Sequence, residues 1–251
     1  MKNMFSIENK TVLVTDVDRP LGLALANLLT QTGAYIYGVG RSENAPEEFK
    51  GEYISANCAN EPESAALVEK IVKARGGIDV LLNVPFVESL RLSFEDYEDD
   101  FYDDAYERVI RSSFVLAKYV GDVFLKQGSG SLINIGESAG RAEVTHNGVP
   151  YSMRNALANM TRACALEWCQ DGPRANIIMP GVIVTDNSEY DPIISFGNEM
   201  QLFYHPCCGR AGKPEDLLGL IIYLASDCSS FTNGSVIFCD GATNVGGIQK
   251  K

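Results

Sequence analysis

Short β-rich runs alternate with helical stretches from Thr11 to Cys239, and this alternation constrains the fold more than any other feature of the chain. A strand, a helix and a second strand of the same sheet make a parallel crossover, and helices on both faces then bury the strands. Thr11–Asp16 (TVLVTD) reads as the first strand and Leu21–Gly33 as the helix after it. Ala34–Gly40 and Glu52–Ala56 are the next strands, with a short helical stretch expected around Pro46–Phe49. Glu63–Ala74 reads as a helix, Asp79–Asn83 as the fourth strand and Ser131–Ile135 as the fifth. Tyr151–Cys169 is a long apolar-striped helix, followed by a strand at Ala175–Met179, a helix at Glu215–Ala225 and a last strand at Ser235–Cys239.

A chain of 251 residues with 45% hydrophobic residues suits one α/β domain over 1–251, and no repeat or interdomain linker interrupts it. No apolar run reaches membrane-spanning length, and the first ten residues lack the apolar core of a signal peptide, so the expected compartment is the cytoplasm. The net charge of −12 argues against nucleic acid or an anionic membrane surface as a partner. Seven cysteines, an odd number, predict free thiols rather than a disulfide framework. Cys207 and Cys208 near His205 lack zinc-ligand spacing, and no metal site is expected. Between the fourth and fifth strands, Glu95–Glu107 interleaves acids with aromatic residues. It reads either as a solvated helix face with aromatic anchors or as a lid or docking surface for a basic partner.

Several segments resemble the short-chain dehydrogenase/reductase family in order and spacing: KTVLVTD…LG, IDVLLN, GSGSLINI, YSMRNALANMTRACALEW, PGVIVTD and GRAGKPEDLLGLIIYLASD…TNGSVIFCDG. They cover roughly residues 8 to 243. The resemblance implies a single-domain Rossmann-type three-layer sandwich with a central, mostly parallel seven-stranded sheet, assembled as a homodimer or homotetramer.

The family's glycine-rich turn, T-G-x-x-x-G-x-G, lets backbone N–H groups and a helix N-terminus approach a diphosphate. Here the stretch is Thr15-Asp16-Val17-Asp18-Arg19-Pro20-Leu21-Gly22, so only Thr15 and Gly22 match. Pro20 has no N–H to donate. Asp16 and Asp18 bring carboxylates towards the diphosphate position, where like charges about 4 Å apart repel by roughly 4 kcal/mol at an effective dielectric near 20. An aspartate there could instead cap the helix and occupy its anion site. The family's adenine-contacting aspartate falls on Asn57, and its N-N-A-G stretch is Asn83-Val84-Pro85-Phe86, with bulky Phe86 replacing a glycine. Arg41 stands where NADP-preferring members hold the 2′-phosphate, and Thr185 where members contact the nicotinamide amide. The expectation is a site degraded by Asp16, Pro20 and Phe86 that holds no cofactor, or NADP or NAD if it holds one.

Family reductases use Asn, Ser, Tyr and Lys. The tyrosine matches Tyr151, the lysine position is Asn155, which cannot lower a phenol pKa through charge, and Arg154 lies one residue before it. Glu137 takes the serine position in an ungapped alignment, Ser138 follows it, and the asparagine falls on Val109. Three functions stay open. The first is a redox-neutral enzyme (lyase, isomerase, cyclase or dehalogenase-like) holding a small organic substrate in the former cofactor and substrate cleft. In it Tyr151 would be the acid, with Glu137 or Ser138 assisting. Halohydrin dehalogenases, a branch of the family, lack the glycine turn in a similar way, although Pro20 and Asn155 depart from their pattern. The second is an inactive subunit or scaffold. The third is an NAD(P)-dependent oxidoreductase acting on a carbonyl or alcohol.

Overall fold

The computed structural model describes residues 4–87, 90, 92–136, 148–185, 208 and 210–245. Its strands are β1 (Thr11–Val14), β2 (Tyr35–Gly40), β3 (Glu52–Ser55), β4 (Val80–Asn83), β5 (Ser131–Ile135), β6 (Arg174–Pro180) and β7 (Val236–Cys239). They form one seven-stranded sheet in the order β3-β2-β1-β4-β5-β6-β7, and every pairing is parallel. The helices are α1 (Pro20–Thr30), α2 (Glu61–Arg75), α3 (Asp99–Tyr106), α4 (Ser112–Gln127), α5 (Gly148–Trp168) and α6 (Pro214–Ala225). The expected Rossmann-type single-domain sandwich is the fold observed.

Side chains of each strand alternate between the two faces, so one apolar run supplies two cores. Val12 and Val14 join Leu25 and Leu29 of α1 and Ile221 and Leu224 of α6 on one face. Leu13 joins Leu67 and Ile71 of α2, Phe124 of α4 and Trp168 of α5 on the other. A third cluster packs Ala105 of α3 and Val109 against Met153 and Leu157 of α5. Among the described residues no helix is long and apolar enough to cross a membrane.

The segment between β2 and β3 differs from expectation. Pro46–Phe49 is a turn closed by the Phe49 N–H donating to the Pro46 carbonyl at 3.0 Å, not a helix. The Phe49 ring drops into the space that Gly38 and Gly51 leave open, and this packing fixes the turn.

The sheet order reverses beside β1. After β1 the chain builds outwards through β2 and β3, then returns to place β4 on the opposite side. The crevice at such a reversal, beyond the carboxyl ends of the strands, is where ligands bind in open parallel sheets.

Candidate functional site

Two strand exits meet at this crevice and are tied together. The Thr15 hydroxyl donates to Asn83 Oδ1 at 3.1 Å and accepts from the Val84 N–H at 2.8 Å. Asn83 Nδ2 donates in turn to Ser113 Oγ (2.7 Å) and Asn134 Oδ1 (2.8 Å), and Asn134 Nδ2 donates to Thr161 Oγ1 at 2.8 Å. This buried polar chain runs from β1 through β4 and β5 to α5 and holds the floor of the crevice in register. Thr15 and Asn83 thus lie beneath the site, with their polar atoms engaged by the protein.

Past β1 the backbone turns sharply. Asp16 adopts φ = +52°, the left-handed conformation that a glycine takes without strain, and the Arg19 N–H closes the turn on the Asp16 carbonyl at 2.9 Å. Pro20 is the first residue of α1, where an N–H has no intrahelical acceptor and proline's fixed φ suits the helix. Gly22 remains indispensable, because a Cβ there would lie 2.2 Å from the Asp16 carbonyl oxygen. No side chain caps α1 and no acid occupies its first turn. Its free N–H groups and the positive end of its dipole therefore face the crevice, the arrangement that accepts a diphosphate.

Neither aspartate caps α1, contrary to one of the sequence-based expectations. Asp18 turns towards the end of β2, where its Oδ2 accepts the N–H of Arg41 (2.9 Å), the N–H of Ser42 (2.9 Å) and the Ser42 hydroxyl (3.0 Å). Asp16 points into a small cavity of about 20 Å³ lined also by Gly40, Arg41, Cys58, Arg108 and Ser112. Protein surrounds its carboxyl on most sides, and that desolvation, reinforced by the Asp18 charge, raises its pKa to about 7. A carboxyl that is more than half neutral below that pH repels a diphosphate less than the ionised pair assumed from the sequence. Burial also pushes the thiol of Cys58 well above its ordinary value, so it is inert at neutral pH.

α3 passes into α4 through one wide π-turn at Glu107–Arg111, and this insertion aims two side chains at the crevice. Glu107 Oε1 accepts from Arg41 Nη2 at 3.0 Å and from Asn57 Nδ2 at 3.2 Å, bridging the ends of β2 and β3. Arg108 lines the Asp16 cavity while its Nε donates to Asp104 at 2.6 Å. The acidic stretch is thus a helix with its last acid turned inwards, with Tyr97 stacked on Phe101 at 5.3 Å. Phe86 lies under the Arg19 guanidinium, 5.1 Å from ring centroid to Cζ. Thr185 and Pro20 border the same groove between α1 and α6.

On α5, Tyr151 is buried. Asn155 donates from Nδ2 to the Tyr151 carbonyl at 3.1 Å, so its amide is tied to its own helix and does not reach towards a ligand. Arg154 is partly buried and stands between the two in sequence. Glu137 and Ser138 lie outside the described residues, as do His205 and Cys207. Among the described residues no three His, Cys, Asp or Glu side chains group as metal ligands. Val109 packs in the apolar cluster, whereas Ser113, one turn later, faces Asn83. Sequence reasoning overlooked Ser113, Glu107 and Arg108. The π-turn that orients them leaves no signature in residue type.

Comparison with known proteins adds an independent line. A family profile described as enoyl-(acyl carrier protein) reductase matches residues 17–244. The 2-dehydro-3-deoxy-D-gluconate 5-dehydrogenase of Dickeya dadantii is 30% identical over 249 residues, covering 95% of this chain and 97% of its own. A crystal structure from Beutenbergia cavernae, provisionally described as an NAD(P)-dependent gluconate 5-dehydrogenase with NADP bound at low occupancy, is 25% identical. It superposes with a TM-score of 0.86 over 97% of this chain and all of that one. A gluconate 5-dehydrogenase from Burkholderia cenocepacia, in complex with NADP and tartrate, has 24% identity and a TM-score of 0.88 over 98% and 99% of the two chains.

These relatives overturn two expectations: that the chain has left hydride-transfer chemistry, and that its cleft holds no dinucleotide. Relatives that match it end to end are named dehydrogenases, and the Beutenbergia cavernae structure holds NADP at low occupancy. The physical reason is visible in the turn. Asp16 reproduces the glycine conformation, Pro20 sits where a helix tolerates it, Asp18 swings aside, and the N-terminus of α1 stays open.

Proposed function

The chain belongs to the short-chain dehydrogenase/reductase family, and on that premise we propose that it is an NAD(P)-dependent oxidoreductase interconverting an alcohol and a carbonyl on a small polyhydroxylated acid or polyol. The observation that carries this reading is the uncapped N-terminus of α1 at the sheet's reversal point, with Gly22 allowing close approach. The substrate class rests on the gluconate-type activities named for the end-to-end relatives.

The N–H groups opening α1 would hold the diphosphate, and the ends of β2 and β3, with Arg41 and Asn57, would border the adenosine. Thr185 would meet the carboxamide of the nicotinamide. A bound nicotinamide supplies or accepts the hydride. Tyr151 gives the substrate oxygen its proton in reduction and removes it in oxidation. Asn155 carries no charge, so we assign to Arg154, three residues along the same helix, the task of lowering the phenol pKa. Ser138 or Glu137 would orient the substrate oxygen. The accompanying assembly is a homodimer or homotetramer, supported by exposed Phe114 and Leu166 on α4 and α5 and exposed Phe231 and Phe238 around β7.

The test is direct. NADH and NADPH are titrated into the protein by calorimetry, and gluconate, related sugar acids and polyols are then screened by nicotinamide absorbance. Binding of either nucleotide with turnover that Tyr151→Phe abolishes supports the proposal. Absence of binding to both overturns it.

A further inference from the structure

The end of β2 is where a dinucleotide's adenosine ribose is read: a carboxylate there accepts the 2′-hydroxyl of NAD, whereas a nearby arginine accommodates the 2′-phosphate of NADP. In this chain four donors at that position already serve carboxylates of the protein itself. The Arg41 N–H, the Ser42 N–H and the Ser42 hydroxyl all converge on Asp18 Oδ2, and the Arg41 guanidinium is drawn to Glu107 Oε1. Asp18 comes from the turn after β1 and not from β2, so inspecting the β2 end alone, with its Arg41, suggests the opposite preference.

The geometry points to Asp18 as the residue that makes this chain select NAD(H) over NADP(H). This inference rests on the oxidoreductase reading above and adds which of the two nucleotides it takes. The three bonds to Asp18 fall on one oxygen, leaving Oδ1 with no protein partner among the described residues. That oxygen lies directly over the end of β2, 2.7 Å from where a Cβ on Gly40 would stand. Glycine at 40 is what lets the carboxylate sit there. A ribose diol can donate hydrogen bonds to Oδ1. A 2′-phosphate brings about two negative charges at neutral pH beside Asp18, and to take Arg41 Nη2 it must displace Glu107. Arg19, the turn's own cation, lies over the Phe86 ring, 5.1 Å from its centroid.

Calorimetric titration of the full-length protein with NADH and NADPH, which differ only in the 2′-phosphate, decides the matter. NADH should bind at least about tenfold more tightly. In Asp18→Ser the ratio should fall by at least about tenfold, through weaker NADH binding and stronger NADPH binding. Asp18→Asn, close to isosteric and able to keep one acceptor oxygen for the β2 end, should shift the ratio in the same direction. That variant guards against a folding defect, which circular dichroism and a thermal melt would reveal. Equal or tighter NADPH binding by the unmodified protein overturns the selectivity while leaving the oxidoreductase reading intact. Binding of neither nucleotide overturns both.

Discussion

A Cβ placed on Gly22 would come within 2.2 Å of the Asp16 carbonyl oxygen and 2.7 Å of its carbon. Both clashing atoms are backbone, held by the closed turn between Asp16 and Arg19. The first turn of α1 therefore sits against the loop that follows β1, and its N–H groups reach the crevice because this one side chain is missing.

Gly22→Ala should accordingly push α1 away from the turn. A loss of roughly 1–3 kcal/mol in urea unfolding is expected for overpacking against backbone. Nucleotide affinity should fall in the same variant. An alanine that leaves both unchanged would show that the turn yields more easily than its bonding suggests.

Stability should depend on pH through Asp16. The fold raises its pKa to about 7 by burial and the neighbouring Asp18 charge, so the neutral form is favoured in the folded state. Its contribution is complete below the ordinary carboxylate pKa and is lost as pH rises through about 7. The loss is on the order of a few kcal/mol. Asp16→Asn, which also tolerates positive φ, should flatten the unfolding free energy between about pH 4 and 8 and stabilise the protein at the alkaline end. Nucleotide affinity of the unmodified protein should weaken over the same interval, because a buried negative charge then stands in the turn beside the diphosphate position. Parallel pH series of the two proteins that superimpose would refute this account.

Removing the hub of the buried polar chain should be costly. Asn83 serves Thr15, Ser113 and Asn134 at once. Asn83→Leu leaves these groups buried without their partner, and a loss of about 3 kcal/mol or more is expected in chemical denaturation. Thr161→Val, at the far end of the chain where the hydroxyl engages Asn134 and Leu157, should cost less.

Tyr151→Phe should lower kcat by at least about a hundredfold once a substrate is in hand, as expected for loss of a positioned proton donor. Arg154→Gln should move the pH–rate profile of alcohol oxidation upwards by about one unit, because the phenol loses its neighbouring cation. Asn155→Lys replaces a side chain whose amide bonds to its own helix. It should leave stability within about 0.5 kcal/mol and move that profile downwards. A profile indifferent to both changes would remove the arginine from the mechanism.

Much of the architecture was legible in residue order. The runs TVLV, VLLN and SLINI and the stripe of the Tyr151 helix mark their own elements, and the family resemblance assembles them into the sheet observed. The short helix expected near Pro46 is a turn because Phe49 packs into the space left open at Gly38 of β2 and Gly51. The crevice was misread for a similar reason. Asp16, Asp18 and Pro20 were weighed as charges and shapes at fixed places, yet each acts according to where the backbone aims it. The inward turn of Glu107 depends on an extra residue in a helix, which composition cannot show.

Sequence by itself determined the seven strands and the helices after β1, β3, β5 and before β7, and hence the layered sheet, since those preferences arise from neighbours along the chain and from side-chain period. The fate of the charged turn was decided only by tertiary structure. Asp18 lies 23 residues from the N–H of Arg41 that it accepts, and Glu107 lies 66 residues from the guanidinium it holds. Whether a carboxylate repels a phosphate, caps a helix or satisfies a strand end depends on partners brought together by folding, because electrostatic and hydrogen-bond energies are set by distance in space and by burial.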